Sequence, residues 1–279
     1  MAKGIEPTQW VEYNRDWKKV DDKVIEEARL TVFVNGKELV SLMATPLGGE
    51  KMALGFLRNE RLIKGLEEVE EISTREEGCC IDVWLNRPFK KPDHEIVTSG
   101  CGGGITYTDY DVSLQALKDP LKMRPEQLQE AFSNMQKPDS LYAQARGVHA
   151  AALFDGQEIL AVVEDIGRHN TIDKVLGECM LRGIETKGRA LLATGRISSE
   201  MLIKGARMGC PVIASRNSPT SLSVKLAEKW NITLIGYARG RRMRVYTHPE
   251  RLGYQGSVES QFEITEPARK AQSTSSSIG

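Results

Sequence analysis

The sharpest chemical feature is a thiol set among glycines. VTSGCGGGI places Cys101 between Gly100 and the run Gly102, Gly103 and Gly104. Such backbone turns tightly and can aim its N–H groups inward, which stabilises an anionic sulfur or a bound anion. The pattern suits a thiolate nucleophile. A loop in which the cysteine is a bystander is the alternative that the local sequence leaves open.

Four further segments carry groups suited to anions. EDIGRHN follows a strand and opens a helix, so Asp165, Arg168 and His169 fall at the carboxyl end of a sheet, where open α/β folds bind ligands. ATGRISSEM repeats the arrangement with Arg196, Ser198 and Ser199, and SRNSPTS with Arg216 and Asn217. A helix start offers free N–H groups and hydroxyls to a phosphate, although each alone could be only an N-cap. Three on one sheet edge make an anion pocket the better account. YARGRRMRV then adds Arg239, Arg241, Arg242 and Arg244, either a solvated face or a grip on pyrophosphate by forked hydrogen bonds.

The elements that must position these groups are readable in outline. ARLTVFVNGKELVSLMAT flanks Asn35-Gly36, which supplies positive φ for a type I′ turn, so this is a hairpin. Met52, Ala53, Phe56 and Leu57 recur at helical spacing, and IDVWLN is a strand. VHAAALF and ILAVVED form a second hairpin about Asp155-Gly156. Asn170 is expected to cap a helix with the apolar stripe Ile172, Val175, Leu176, Cys179 and Met180. ALLAT, PVIAS and ITLIGYA alternate with helices expected to begin at Ser198 and at Ser218-Pro219, which calls for a parallel sheet built by right-handed crossovers. MRVYTH adds an edge strand.

The fold class expected is therefore α/β. Residues 1–112 form a smaller N-terminal α+β lobe with the cysteine loop, 113–146 a connecting segment, 147–250 an α/β cofactor-binding lobe, and 251–279 a partly disordered tail. Composition agrees with a soluble globular protein: 279 residues, 40% hydrophobic and 27% charged. With 38 basic and 38 acidic residues, no global field marks a nucleic-acid binder. The chain lacks a signal-type start and any apolar run of membrane-span length, so a cytoplasmic location is expected. Its 5 cysteines lack a C-x-x-C pair, which argues against a disulfide framework and a zinc knuckle. Cys179 and Cys210 read as core thiols, Cys79-Cys80 as structural, and His149 as a partly buried, satisfied histidine.

Taken together, GFLRNERLI, VTSGCGGG, GVHAAALF, EDIGRHNTIDKVLG, TGRISSEM, PVIASRNSPTSLSVKLAE and ITLIGYARGRRMRVYTH resemble the FdhD/NarQ family of formate dehydrogenase accessory sulfurtransferases, over roughly residues 30 to 248. The resemblance implies a C-terminal lobe like the cytidine deaminase fold, with a mixed, largely parallel sheet. It implies a sulfur carrier that accepts sulfur from a cysteine desulfurase as a persulfide on Cys101. The sulfur passes to a molybdenum or tungsten bis(molybdopterin guanine dinucleotide), bound as cargo, before insertion into the formate dehydrogenase catalytic subunit. No tightly bound metal of its own is implied, and a homodimer is compatible.

By position, the segment Tyr237, Ala238, Arg239, Gly240, Arg241 and Arg242 matches the family's stretch near the guanylyl cofactor, and Gly102 and Gly103 flank the persulfide cysteine. One departure matters. The common family form is C-x-x-C, and Gly104 stands at the second cysteine position, so the chemistry runs on one thiol or the protein is an altered member. A non-catalytic chaperone that escorts the same cargo is the alternative. A zinc nucleoside deaminase is disfavoured, because Ala150 and Ala151 follow His149 where H-x-E is needed, and no P-C-x-x-C exists.

Overall fold

The computed structural model describes residues 4–92, 96–97, 105–106 and 114–256. Cys101, Gly102 and Gly103, and the tail from residue 257, lie outside the described residues.

The chain opens with an antiparallel ribbon, β1 (Ile5–Asn14) and β2 (Asp16–Ile25). β3 (Ala28–Val34) and β4 (Lys37–Ala44) follow, turned by Asn35 and Gly36 at φ 49° and 76°. With β5 (Val69–Arg75) and β6 (Cys80–Leu85) they form a four-stranded sheet in the order β4-β3-β6-β5, in which β3 and β6 are parallel. Helix α1 (Gly49–Asn59) packs its face of Met52, Ala53, Phe56 and Leu57 into the same core as Leu30, Val32 and Ile81. The two-residue strands β7 (Ile96–Val97) and β8 (Ile105–Thr106) pair antiparallel on either side of the glycine-rich stretch.

The second half is a six-stranded sheet. Its strands are β9 (His149–Phe154), β10 (Ile159–Asp165), β11 (Ala190–Ala193), β12 (Val212–Ser215), β13 (Thr233–Arg239) and β14 (Arg242–Val245), in the order β10-β9-β11-β12-β13-β14. The central β11-β12-β13 run is parallel and the flanking pairs are antiparallel. Alternate residues serve two cores. Leu191, Ile213 and Leu234 meet α4 (Arg168–Leu181), α5 (Ser199–Arg207) and α6 (Ser221–Lys229) on one face. Leu192, Val212 and Ile235 meet α2 (Pro125–Asn134) on the other, and α3 (Leu141–Ala145) completes the connection to β9. Burial on both faces explains the uninterrupted apolar runs. Among the described residues no helix is long and apolar enough to cross a membrane.

Two expectations need correction. Gly167, not Asn170, caps α4; the Asn170 amide instead donates to Met43 O (2.9 Å) and Asp165 Oδ1 (2.8 Å). Helix α6 begins at Ser221 with Thr220 as its cap, because Pro219 is held beside Ile197 in a parallel bridge. The opening ribbon of two ten-residue strands has no counterpart among the expected elements.

Helix α4 is buried on nearly all sides, beyond its apolar stripe. It crosses α1 at two glycines. A Cβ on Gly55 would lie 1.8 Å from Asp173 O, and one on Gly177 would lie 1.8 Å from Lys51 O. Its buried charges are paired: Lys174 with Asp165 at 2.5 Å and Asp173 with Lys204 at 2.6 Å, Asp173 also accepting from Asn59 at 2.7 Å. Because both obstructing atoms are backbone, Gly177→Ala is expected to destabilise the protein by about 3 kcal/mol, at the upper end of overpacking costs. Urea unfolding measures this, and an unchanged midpoint would refute the tight crossing.

Candidate functional site

The carboxyl edge of the C-terminal sheet gathers the polar segments. β11, β12 and β13 end there, and His149 of β9 pairs there with Asp165 of β10. At this edge lies a cavity of about 480 Å³. Val148, His149, Ala150 and Thr194 supply one side and Arg216, Ala238, Arg239 and Gly240 another. A third comes from the connecting segment: Gln129, Phe132, Ser133 and Gln136 on or just after α2, and Tyr142 of α3.

Local hydrogen bonds hold the loops that reach it. Ala150 N–H donates to Thr194 Oγ1 and Thr194 N–H to Ala150 O, both at 2.9 Å. Ser215 Oγ donates to Gly195 O (2.5 Å) and accepts from Asn217 N–H (3.0 Å). Gly195 must lack a side chain, since a Cβ would stand 2.8 Å from Arg168 Cβ and 3.3 Å from His149 Nδ1. Tyr237 N–H donates to Asn217 O (3.1 Å), and the β13–β14 ladder shifts register between Gly236 and Arg239. That irregularity, with Tyr237 at φ 53° and Gly240 at φ 55°, re-aims the end of β13 toward the cavity.

Two guanidinium groups dominate the electrostatics. Arg216 donates to Gln136 Oε1 (2.9 Å) and Phe132 O (2.6 Å), and its own carbonyl accepts from Arg239 Nε (2.8 Å). Burial, with the neighbouring Arg239 charge, draws the Arg216 pKa below its ordinary value. Among the described residues no carboxylate forms an ion pair with either. His149 is also drawn down, chiefly by burial and then by the Arg168 charge, which leaves a neutral imidazole at the cavity.

Behind it, burial lowers the pKa of His169. Its Nε2 lies 3.4 Å from Glu200 Oε2 and 3.5 Å from Ser198 Oγ, and Ser198 donates to Glu200 at 2.7 Å. Hydrogen bonds from His169 and then Ser198 hold the Glu200 carboxyl down to about 2. The arrangement is a neutral imidazole donating to an ionised carboxylate. Such a site can bind an anion through the arginines and offer amides, aromatic rings and imidazole to an attached flat group. Among the described residues no group of three or more metal-ligating side chains occurs.

The cavity thus brings together Arg216, Ala238, Arg239 and Gly240, while other expected residues stand around it. Asp165 is fully buried, its carboxylate taken by Lys174, Thr45 N–H, Gly167 N–H and Asn170. Ser198 caps α5 and Ser199 opens it. Arg196, Arg241 and Arg242 are exposed, and Tyr237 carries the Arg244 guanidinium 4.2 Å over its ring. Burial pushes Cys179 up to about 12 and raises Cys210 and Cys80, so none of these three thiols favours the thiolate.

The FdhD/NarQ family pattern matches residues 25–253, most of the chain. The chain belongs to the FdhD/NarQ family. It is 36% identical over 240 residues to the sulfur carrier protein FdhD of Bacillus subtilis, covering 84% of this chain and 92% of that protein. Identity to the protein of the same name from Wolinella succinogenes is 34% over 242 residues, 83% of each chain. A solved structure from Desulfotalea psychrophila, described as that of a putative formate dehydrogenase accessory protein, is similar with a TM-score of 0.75 and 28% identity, over 89% of this chain and 99% of that one.

In this FdhD/NarQ chain Thr194, Glu200 and the α2 wall were not among the expected site residues, and His149, expected as a partly buried, satisfied histidine, is partly buried and also lines the cavity. The wall had a readable signal, since Gln129, Phe132, Ser133 and Gln136 follow the i, i+3, i+4, i+7 spacing of one helical face. Glu200 raises the pKa of His169 against burial, so Glu200→Gln is expected to move the His169 titration further down, as followed by NMR of the imidazole C–H. The folded-state pKa of Glu200 is depressed, so its contribution to stability is full above about 4.5 and is lost as pH falls toward about 2. The variant lacks that component, and an unmoved His169 titration would rule the contact out.

Proposed function

We propose that this chain is a sulfur carrier of the sulfurtransferase class, acting in the cytoplasm on the maturation of formate dehydrogenase. The observation that carries the reading is the pair Arg216 and Arg239, held together at a cavity where, among the described residues, no carboxylate forms an ion pair with either. Two such forks suit a pyrophosphate. A cavity of about 480 Å³ suits one nucleotide-sized end of the bis-guanylyl pterin cargo, carrying molybdenum or tungsten. Gln129, Gln136 and Tyr142 then face its base, while the exposed Arg196, Arg241 and Arg242 serve phosphates beyond the cavity. Asp165, Arg168, His169, Ser198, Ser199 and Asn217 hold the edge in shape beneath it. Family membership supports the sulfur chemistry, and a likeness of this lobe to the cytidine deaminase fold belongs to the same reading.

Cys101 lies outside the described residues, and its part rests on the motif. Its thiolate attacks the terminal sulfur of a desulfurase persulfide; the donor S–S bond breaks, the donor cysteine leaves as thiolate, and a new S–S bond forms on Cys101 without net redox change. Delivery of that sulfur as sulfide breaks the bond again, takes up two electrons from a thiol reductant and returns Cys101 as thiol.

Incubation with a cysteine desulfurase and cysteine is expected to add about 32 Da, one sulfur, to the Cys101 peptide, and Cys101→Ala to abolish maturation of formate dehydrogenase. Full maturation by Cys101→Ala would make the protein an escort for the cargo instead. Arg239→Ala is expected to weaken guanosine diphosphate binding at least about tenfold, as loss of charge-assisted hydrogen bonds requires. Unchanged binding would remove the cavity from the proposal.

A further inference from the structure

The EDIGRHN segment begins with Glu164, which does not line the cavity. It sits near the end of β10, opposite Ala150 of β9, and is half-buried. Its carboxylate reaches the start of α3, 23 and 22 positions earlier: Oε2 accepts from Leu141 N–H at 2.7 Å and Oε1 from Tyr142 N–H at 3.1 Å. Ser140 Oγ accepts from the next donor, Ala143 N–H, at 3.1 Å. The opening N–H groups of α3 are thereby satisfied, two of them by one charged acceptor, the stronger kind of hydrogen bond. Among the described residues no cation forms an ion pair with Glu164.

Helix α3 has little else to hold it. It is 5 residues long, too short to persist on helix propensity, and none of its residues is fully buried. Yet it sets part of the cavity wall. Tyr142 lines the cavity with Arg216, and the Arg146 guanidinium lies 4.9 Å over the Tyr142 ring. Arg146 and Gly147, at φ 59° and 63°, then turn the chain into Val148 and His149, which line the same cavity. A displaced α3 therefore moves an aromatic wall. Arg216 and Arg239 stay in place, because Phe132, Gln136 and their own mutual contact hold them.

We propose that Glu164 is a positioning residue for the flat end of the ligand: by anchoring the start of α3 it fixes the Tyr142 ring as a stacking wall for the base, without touching the ligand. The inference rests on the nucleotide reading of the cavity given above. The arginines engage phosphate charge, and Glu164 acts only through Tyr142. Glu164 therefore governs affinity for a ligand that bears a base, and not for its phosphates alone. An effect of its negative charge on the cavity has the opposite signature, since removing that charge would strengthen binding of both kinds of anion.

Calorimetric titration of the full chain with guanosine diphosphate and, separately, with inorganic pyrophosphate tests this. Glu164→Ala is expected to weaken guanosine diphosphate binding about tenfold, the scale of one lost base–aromatic stack, and to change pyrophosphate binding by less than about twofold. Tyr142→Ala is expected to show the same selective loss, and E164A/Y142A no further loss, since one residue acts through the other. Glu164→Gln keeps an acceptor for one N–H and is expected to fall between the wild type and Glu164→Ala. Hydrogen exchange is expected to lose protection at the Leu141 and Tyr142 amides in Glu164→Ala, while the thermal midpoint verifies that each variant folds. Equal losses for both ligands, additive losses in the double variant, or a guanosine diphosphate affinity that is unaltered or strengthened would each overturn the proposal. A wild type that binds neither ligand would bring down the nucleotide reading itself, and this inference with it.

Discussion

Burying helix α4 from both sides is the constraint on which the rest of the architecture hangs. A helix wedged between a sheet and a second helix needs a close crossing and needs its charges answered inside the protein. Gly55 and Gly177 provide the first, each lying where any side chain would strike the backbone of the opposite helix. Asp165, Asp173, Lys174 and Lys204 provide the second, with burial opposing the charge on Lys174 and on Asp173. Removing one member of such a pair leaves an uncompensated buried charge, and hydrogen bonds from Thr45 to Asp165 and from Asn59 to Asp173 attach the N-terminal half to the two pairs. Thr45 and Met43 at the end of β4 reinforce that tie through Lys174 and Asn170.

The same constraint fixes the chemistry of the sheet edge. The first turn of α4 carries Arg168 and His169, and because the helix cannot shift, neither can they. Gly195 lets Arg168 come against the loop after β11, and His149 joins them from β9. The outcome is an edge with two histidines drawn toward neutrality, a carboxylate kept ionised and two guanidinium groups that, among the described residues, have no partner carboxylate. Positive charge is concentrated where the arginines meet, which orients an anionic ligand rather than attracting it diffusely.

Much of this was legible before any coordinates. The Asn35-Gly36 hairpin, the parallel run of three apolar strands and the Ser198 cap follow from local rules, and each stands where those rules put it. What escaped was non-local. Asn170 has the residue type of a cap, yet its amide is engaged by a β4 carbonyl more than a hundred positions away. His149, expected as a partly buried, satisfied histidine, is partly buried, but nothing near it in sequence reveals a cavity formed by chain segments distant from it. Asp165 has the look of a ligand-binding acid and is instead the knot under the turn, since Lys174 reaches it only when α4 is fully enclosed.

Arg216 carries a last consequence. Its guanidinium bridges to Phe132 and Gln136, residues 84 and 80 positions earlier, while Arg239, 23 positions later, leans on its carbonyl. During synthesis at roughly 5–20 residues per second, the α2 wall leaves the ribosome several seconds ahead of the β13 end that completes the enclosure. A nascent or truncated chain therefore has no chamber to fill, and loading waits for the finished polypeptide.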